Sequence, residues 1–170
     1  MTYHHMVPRM IENTKRWELC MLKSYQDTDH SWHIGYGHGN ATGLPPFVDE
    51  HSVLKDEAEA LSILEADLQA IALSLEKMIK VPVNENKFCA LWDVAYNRGL
   101  GRLRKSAVMH HLNNTDDPYH MDKVPLAFIV SEEGFEPLNV SVDRVTGVPR
   151  VYTGLTNRRI DNASLFQLPI

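Results

Sequence analysis

The apolar positions Val7, Met10, Ile11 and Trp17, followed by Met21, fall at helical spacing. They predict a helix from Val7 to about Trp17, with Pro8 in its first turn, where a missing N–H costs nothing. From Leu22 to His38 the pattern changes to short β-prone pieces around the polar run Gln26-Asp27-Thr28-Asp29-His30, which predicts a hairpin. Its returning strand alternates, with Trp32, Ile34 and Tyr36 on one face and Ser31, His33 and Gly35 on the other. The longest periodic stretch lies between about Asp49 and Lys80, where Leu61, Leu64, Leu68, Ile71, Leu75 and Met78 return every three or four residues. It predicts a helix of about 25 residues, roughly 37 Å, long enough to act as a strut between two lobes. Pro82 ends it, and Asn84 is placed to cap a following helix that carries Phe88, Leu91, Trp92 and Ala95 and closes at Gly99 and Gly101. Further helices are predicted from about Ser106 to Asn113 and from Thr156 to Leu168. Residues 134–153 have no helical period and read as irregular or weakly extended.

Composition narrows the function classes. The chain has 170 residues, 44% of them apolar and 23% charged, which fits one globular domain and excludes collagen, coiled coil and disorder. No apolar run reaches the roughly 20 residues of a membrane span, and the first ten residues carry no secretory leader pattern. The net charge of −5 argues against a dedicated binder of nucleic acid or anionic membrane. That charge is unevenly spread: residues 1–80 hold 7 Lys/Arg against 12 Asp/Glu, and residues 81–170 hold 10 against 10. Two windows contain no acid, one of Arg98, Arg102, Arg104 and Lys105, the other of Arg144, Arg150, Arg158 and Arg159. They read either as solvated surface or as a basic wall facing an anionic ligand. Cys20 and Cys89 could form one bridge at most and read as buried free thiols.

Glu18 follows the first helix between Trp17 and Leu19, and a carboxyl beside bulky apolar groups is disfavoured as an anion, which suits a general acid. Asp27 lies nine residues on, in the polar turn, and His33 six further, on the strand that returns toward it. One protonated and one ionised carboxyl are what cleavage of a glycosidic bond requires. Spacing alone leaves open a helix-end glutamate and a turn aspartate. The glycines Gly35, Gly37, Gly39 and Gly43 lack the order and the Lys-Ser/Thr of a phosphate loop, and so mark tight backbone before the loop at Pro45 and Pro46.

The run Glu18-Leu19-Cys20-Met21-Leu22-Lys23-Ser24-Tyr25-Gln26-Asp27, followed by Trp32-His33-Ile34-Gly35-Tyr36-Gly37-His38, resembles the active-site signature of the phage-type lysozymes, the endolysins of glycoside hydrolase family 24. Glu57 to Leu61 with Asp67-Leu68 is similar to that family's inter-lobe helix, and Asn97-Arg98-Gly99-Leu100-Gly101 to an asparagine-glycine helix end. Gly154-Leu155, Arg158-Arg159 and Leu165-Phe166 resemble its last helix, so the likeness runs from about Pro8 to Leu168. The resemblance implies an α+β, mostly helical, lysozyme-like two-lobed fold in a single domain, residues 1–170. A small β-hairpin lobe (about 18–55) would be joined by a long helix (about 56–80) to a helical lobe (about 81–170 plus the N-terminal helix), with the cleft between the lobes. It implies a peptidoglycan muramidase cutting the β-1,4 bond between N-acetylmuramic acid and N-acetylglucosamine, with Glu18 as general acid and Asp27 placing water and stabilising the transition state.

Three positions depart from the family pattern. His33 stands where the family has Thr, and an imidazole can activate water, or even attack the anomeric carbon and open a retaining or transglycosylating path. The plainer reading is that it makes one hydrogen bond in the Thr site. Leu19 replaces a glycine, and residues 116–153 match poorly. Trp32 and Tyr36 are candidates to meet sugar rings, Asn97 to bind an acetamido group and Arg98 to contact an anionic part of the substrate, whereas Trp92 lies on a core stripe. His30, His33 and His38 lack the companion ligands of a metal site, so no metal and no cofactor is expected, and His38 reads as a buried, hydrogen-bonded residue. His4-His5 and His110-His111 read as surface pairs. The expected partner is bacterial peptidoglycan, met by a monomer that neither binds nucleic acid nor inserts in a membrane. The expected route is from the host bacterial cytoplasm to the wall through a separate pore; a virion-borne lysozyme or a secreted effector fits the same residues. Rival functions are a lytic transglycosylase, a catalytically silent wall-binding module and a metal-dependent hydrolase.

Overall fold

The computed structural model describes residues 3–27, 30–143 and 146–169, with the side chain of His4 outside the description. It is a mixed α+β fold, about half helical, with a small antiparallel sheet. It forms two compact units, one chiefly Tyr3–Ala70 and the other chiefly Ile71–Val142 with the segment from Val148 onward.

In the first unit, a 3₁₀ turn at Tyr3–Met6 leads into helix α1 (Val7–Lys15), with Pro8 in its first turn. Strands β1 (Met21–Gln26), β2 (Trp32–Gly35) and β3 (His38–Gly39) make the antiparallel sheet in the order β1-β2-β3. The register pairs Tyr25 with His33, Gln26 with Trp32, and Ile34 with His38. Thr28 and Asp29 of the predicted turn lie outside the described residues. Met10, Ile34, Val48, Leu54 and Leu64 are buried.

Helix α2 (Glu57–Glu76) has 20 residues, five fewer than the pattern suggests, and starts eight residues later than the periodic stretch. The start is fixed by polar capping: Asp56 Oδ1 accepts the Glu59 N–H at 3.0 Å, and Glu59 Oε2 accepts the Lys55 N–H at 2.6 Å. That is the logic of a capping box, which satisfies helix-end donors that water would otherwise take. The buried stripe is Ala60, Leu64, Leu68, Ala72 and Leu75, whereas Leu61 and Ile71 are half-exposed and Met78 lies past the helix end.

In the second unit, α3 (Glu85–Arg98) begins at Asn84, whose side chain accepts the Lys87 N–H at 2.8 Å. It buries Phe88, Leu91, Trp92 and Val94 completely. Short helices α4 (Leu100–Arg104), α5 (Ala107–Asn113) and α6 (His120–Ala127) follow. Strands β4 (Val140–Val142) and β5 (Pro149–Val151) come next, then α7 (Thr153–Gln167), which packs on α3. The β4/β5 pair sharpens the reading of residues 134–153 as weakly extended. Helix α6 has no counterpart in the sequence reading: it is eight residues long and contains Pro125, so its period is too short to register.

The two acid-free windows do not form one basic wall. Arg158 and Arg159 are 4% and 0% exposed and lie in the core. Arg158 makes a bidentate pair with Asp93 at 2.9 and 3.0 Å, Asn162 adds a bond at 2.9 Å, and Arg159 stands 3.7 Å from the same carboxylate. Arg144 lies outside the described residues. The cysteines are free, Cys89 buried but Cys20 only half-buried, which corrects the expectation for Cys20. His110 is exposed, but His111 is not a plain surface residue, since its Nε2 meets both oxygens of Glu132 at 3.0 Å.

Candidate active site

The first unit gathers three of the candidate residues around one tyrosine. Helix α1 stops at Lys15, and the N–H groups of Trp17 and Glu18 return to Thr14 O at 2.9 and 3.0 Å, placing Glu18 immediately beyond the last turn. Glu18 is half-buried. Leu19 is 81% exposed, so the apolar flank expected on both sides of the acid exists on the Trp17 side alone. Asp27 follows β1 and is exposed; its N–H donates to Ser31 O at 2.9 Å and its carbonyl accepts from the His30 N–H at 3.0 Å.

Tyr25, on β1, feels the charge of both acids. Burial raises its phenol above the ordinary value, and the negative charges of Glu18 and then Asp27 raise it further. Its ring centroid is 5.9 Å from that of His33, its partner across the strands. Tyr25 is the residue that reading the sequence for acids, bases and sugar-stacking tryptophans passed over. The available signal was its place between Glu18 and Asp27 in the family-like run.

His33 is held from both nitrogens. Nδ1 is 3.0 Å from Gly37 O and Nε2 is 2.7 Å from Ser31 Oγ. A carbonyl only accepts, so Nδ1 carries the hydrogen, and in the neutral ring the Nε2 lone pair faces the Ser31 hydroxyl. The glycines make this possible. Gly37 adopts φ +98°, where a side chain would be strained, and a Cβ on Gly39 would lie 2.9 Å from both Cε1 and Nδ1 of His33. Thus Gly39 leaves the space into which the imidazole fits.

Tyr36 is only 4% exposed, and its hydroxyl donates to Glu57 Oε1 at 2.7 Å. Burial and that hydrogen bond push its phenol far above the ordinary value. Glu57, 3.4 Å from Lys15, is held below the usual carboxylate range by the Tyr36 hydrogen bond and then by Lys15. Tyr36 is therefore a brace tying the glycine turn to the start of α2 and, through Glu57, to the end of α1. His38 is buried as expected, with Nδ1 2.8 Å from Asp67 Oδ2 and Nε2 2.8 Å from Pro46 O. Burial pulls its pKa down, but the Asp67 hydrogen bond, the Pro46 carbonyl and the Asp67 charge outweigh it and leave the ring above its ordinary value. Trp32 is half-buried at the start of β2.

Asn97 and Arg98 belong to the second unit. Asn97 Oδ1 accepts from Arg159 Nη2 at 3.0 Å, and Arg98 Nη2 donates to Val140 O at 2.5 Å. Arg102 reaches Pro137 O and Val140 O at 3.4 and 3.5 Å, so this pair of arginines braces the backbone leading into β4. Among the described residues no three His, Cys, Asp or Glu side chains stand together as metal ligands, and no helix is long and apolar enough to cross a membrane.

The family model of phage lysozymes matches residues 15–162, which takes in every one of these side chains. The chain belongs to the phage lysozyme family. It is 33% identical over 154 residues to the endolysin of Bacillus phage PZA, a match covering 89% of this chain and 51% of that protein. The chain thus spans about half the length of that relative. It is 27% identical to the endolysin of Acyrthosiphon pisum secondary endosymbiont phage 1, over 90% of this chain and 91% of the other. Its fold matches the muramidase domain of SpmX from Asticaccaulis excentricus, with a TM-score of 0.74 at 23% identity, over 95% of this chain and 96% of that one.

Proposed function

We propose that the protein is a muramidase that hydrolyses the β-1,4 bond between N-acetylmuramic acid and N-acetylglucosamine in bacterial peptidoglycan. The observation that carries this reading is the phage lysozyme family match over residues 15–162, which takes in Glu18, Asp27 and His33, with His33 paired to Tyr25 across the strands. Glu18 protonates the leaving oxygen as the glycosidic bond breaks. The exposed Asp27 places the water and offsets the positive charge that develops on the sugar ring. His33, with Nδ1 fixed on Gly37 O, keeps Nε2 as its acceptor nitrogen, the form a base needs, and takes the proton of the attacking water once the Ser31 hydroxyl turns away. Trp32 contributes an aromatic face for a sugar ring. The protein acts on the bacterial cell wall.

Digestion of purified peptidoglycan by the native chain and by Glu18→Gln tests this. The native chain should release reducing ends at muramic acid with uptake of one water, and the variant should lose at least about 100-fold in rate, the scale of a lost general acid. Equal clearing by both, or a 1,6-anhydro product lighter by one water, would overturn the assignment. Proton NMR of the first anomer formed from a defined oligosaccharide tests His33 separately. An inverted product fits water activation, and a retained one would replace that role with direct attack.

A further inference from the structure

The second unit contains a groove of about 800 Å³ that takes no part in the chemistry above. Lys77 and Lys80 border it from the end of α2 and the segment beyond, and Arg104, Lys105 and His110 border it from α4 and α5. Among the described residues, no aspartate or glutamate lines it. Lys77, Lys80, Arg104 and Lys105 are all exposed, and among the described residues none of them is joined in an ion pair. Two acids near the rim are turned to other partners: Glu132 is engaged with His111, and Glu136 lies 3.9 Å from Arg102.

Four uncompensated cations on a protein of net charge −5 repel one another, and a surface built only for solubility would interleave acids. Their mounting is rigid. The Asn113 amide donates to Met78 O at 3.0 Å and accepts the Lys80 N–H at 2.8 Å, tying the lysine segment to α5. Lys105 O accepts the Glu136 N–H at 3.0 Å and fixes the opposite rim. There the rings of His110 and Phe135 stand 4.9 Å apart and offer an apolar face.

We infer that this groove binds a phosphodiester polyanion of the polyol-phosphate kind carried by bacterial walls. The volume exceeds what one small ion fills and suits several repeats of a chain. Arginine and lysine are the side chains that take phosphate oxygens, and a phosphodiester keeps its charge at every pH of interest. The polyol between successive phosphates lies against the His110–Phe135 face. The choice of a wall polymer rests on the muramidase reading; the site itself rests on the groove.

The test is calorimetric titration of the full chain with a glycerol-phosphate oligomer and, separately, with polyglutamate of equal charge. Three exposed cations contribute together about a tenfold effect on affinity. The variant K80Q/R104Q/K105Q should therefore bind the glycerol-phosphate oligomer about tenfold more weakly than the native chain at low salt. That gap should close as salt shortens the range of charge attraction. K80R/K105R should bind as the native chain does, and polyglutamate should bind less well than the phosphate oligomer. Unchanged binding by the triple variant would overturn the groove, and polyglutamate binding as tightly as the oligomer would overturn the phosphodiester. Hydrolysis of phosphate-stripped peptidoglycan, measured on the same proteins, depends on Glu18 and not on these cations. A failure of the muramidase reading would therefore show there, independently of the binding result.

Discussion

Replacing Asp93 by Asn should cost more stability than any surface change in this protein. Asp93 is fully buried and receives two hydrogen bonds from Arg158 and one from Asn162, with the charge of Arg159 at 3.7 Å. Two guanidiniums, 4% and 0% exposed, therefore share one carboxylate between α3 and α7. Removing one partner of a buried ion pair costs about 3–5 kcal/mol, because the remaining charge stays out of water without compensation. Asn keeps the volume and one acceptor, which sets the expectation at the lower end, about 3 kcal/mol. Against a total stability of about 5–15 kcal/mol that is a large fraction, and for a chain of this length it lowers Tm by about 6–12 °C. Thermal unfolding followed by circular dichroism measures it. Raising the salt should leave the difference between native and variant unchanged, since buried charges are poorly screened. The double change Asp93→Leu with Arg158→Met should recover only the share of the loss that comes from Arg158, since Arg159 keeps Asn97 Oδ1 but not its carboxylate. A drop of less than about 2 °C would refute the reasoning, because it would place the cluster in the range of exposed ion pairs.

The His38–Asp67 pair makes stability depend on pH in a definite direction. The folded pKa of His38 is raised, so its contribution is complete below the unfolded value near 6.5 and fades as pH rises through the folded one. The Tm gap between the native chain and His38→Gln should accordingly shrink from pH 6 toward pH 9, and a gap that is constant or grows would contradict the ion pair. Gly39→Ala should destabilise by about 1–3 kcal/mol through overlap with the His33 ring, since φ −147° at that residue carries no strain of its own. In a His33→Thr background the cost should fall below half; an equal cost in both would show that the ring is not the obstacle. Asn113→Ala removes the two bonds joining residues 78–80 to α5 and should cost about 1–2 kcal/mol in denaturant unfolding, with faster hydrogen exchange at the Lys80 amide. Native exchange at that amide would argue that other contacts hold the segment.

Local rules made much of the fold legible. Asn84 caps α3 because a short acceptor ahead of a helix satisfies donors three residues away, and Trp92 is buried because it shares a stripe with Phe88 and Leu91. The hairpin of β1 and β2, and the burial of His38 beside it, were equally open to reading over short spans. The start of α2 was also written locally, in Asp56 and Glu59, close to the boundary at about 56 that the family resemblance implies.

The candidate site divides along the same line. The separations of Glu18, Asp27 and His33, and their likeness to one family, are properties of the chain. That Tyr25 lies among them, that Gly39 yields its space to an imidazole, and that the Tyr36 hydroxyl is taken up by Glu57 are decided only when the strands, turn and helix pack together. The arginines show why. Arg104 and Arg158 look alike in sequence, as members of acid-free basic windows. One is left in water beside a groove, whereas the other enters the core because Asp93, 65 residues earlier, arrives there to receive it. A charge can be buried only against a partner, and no local pattern records which distant residue the fold will bring.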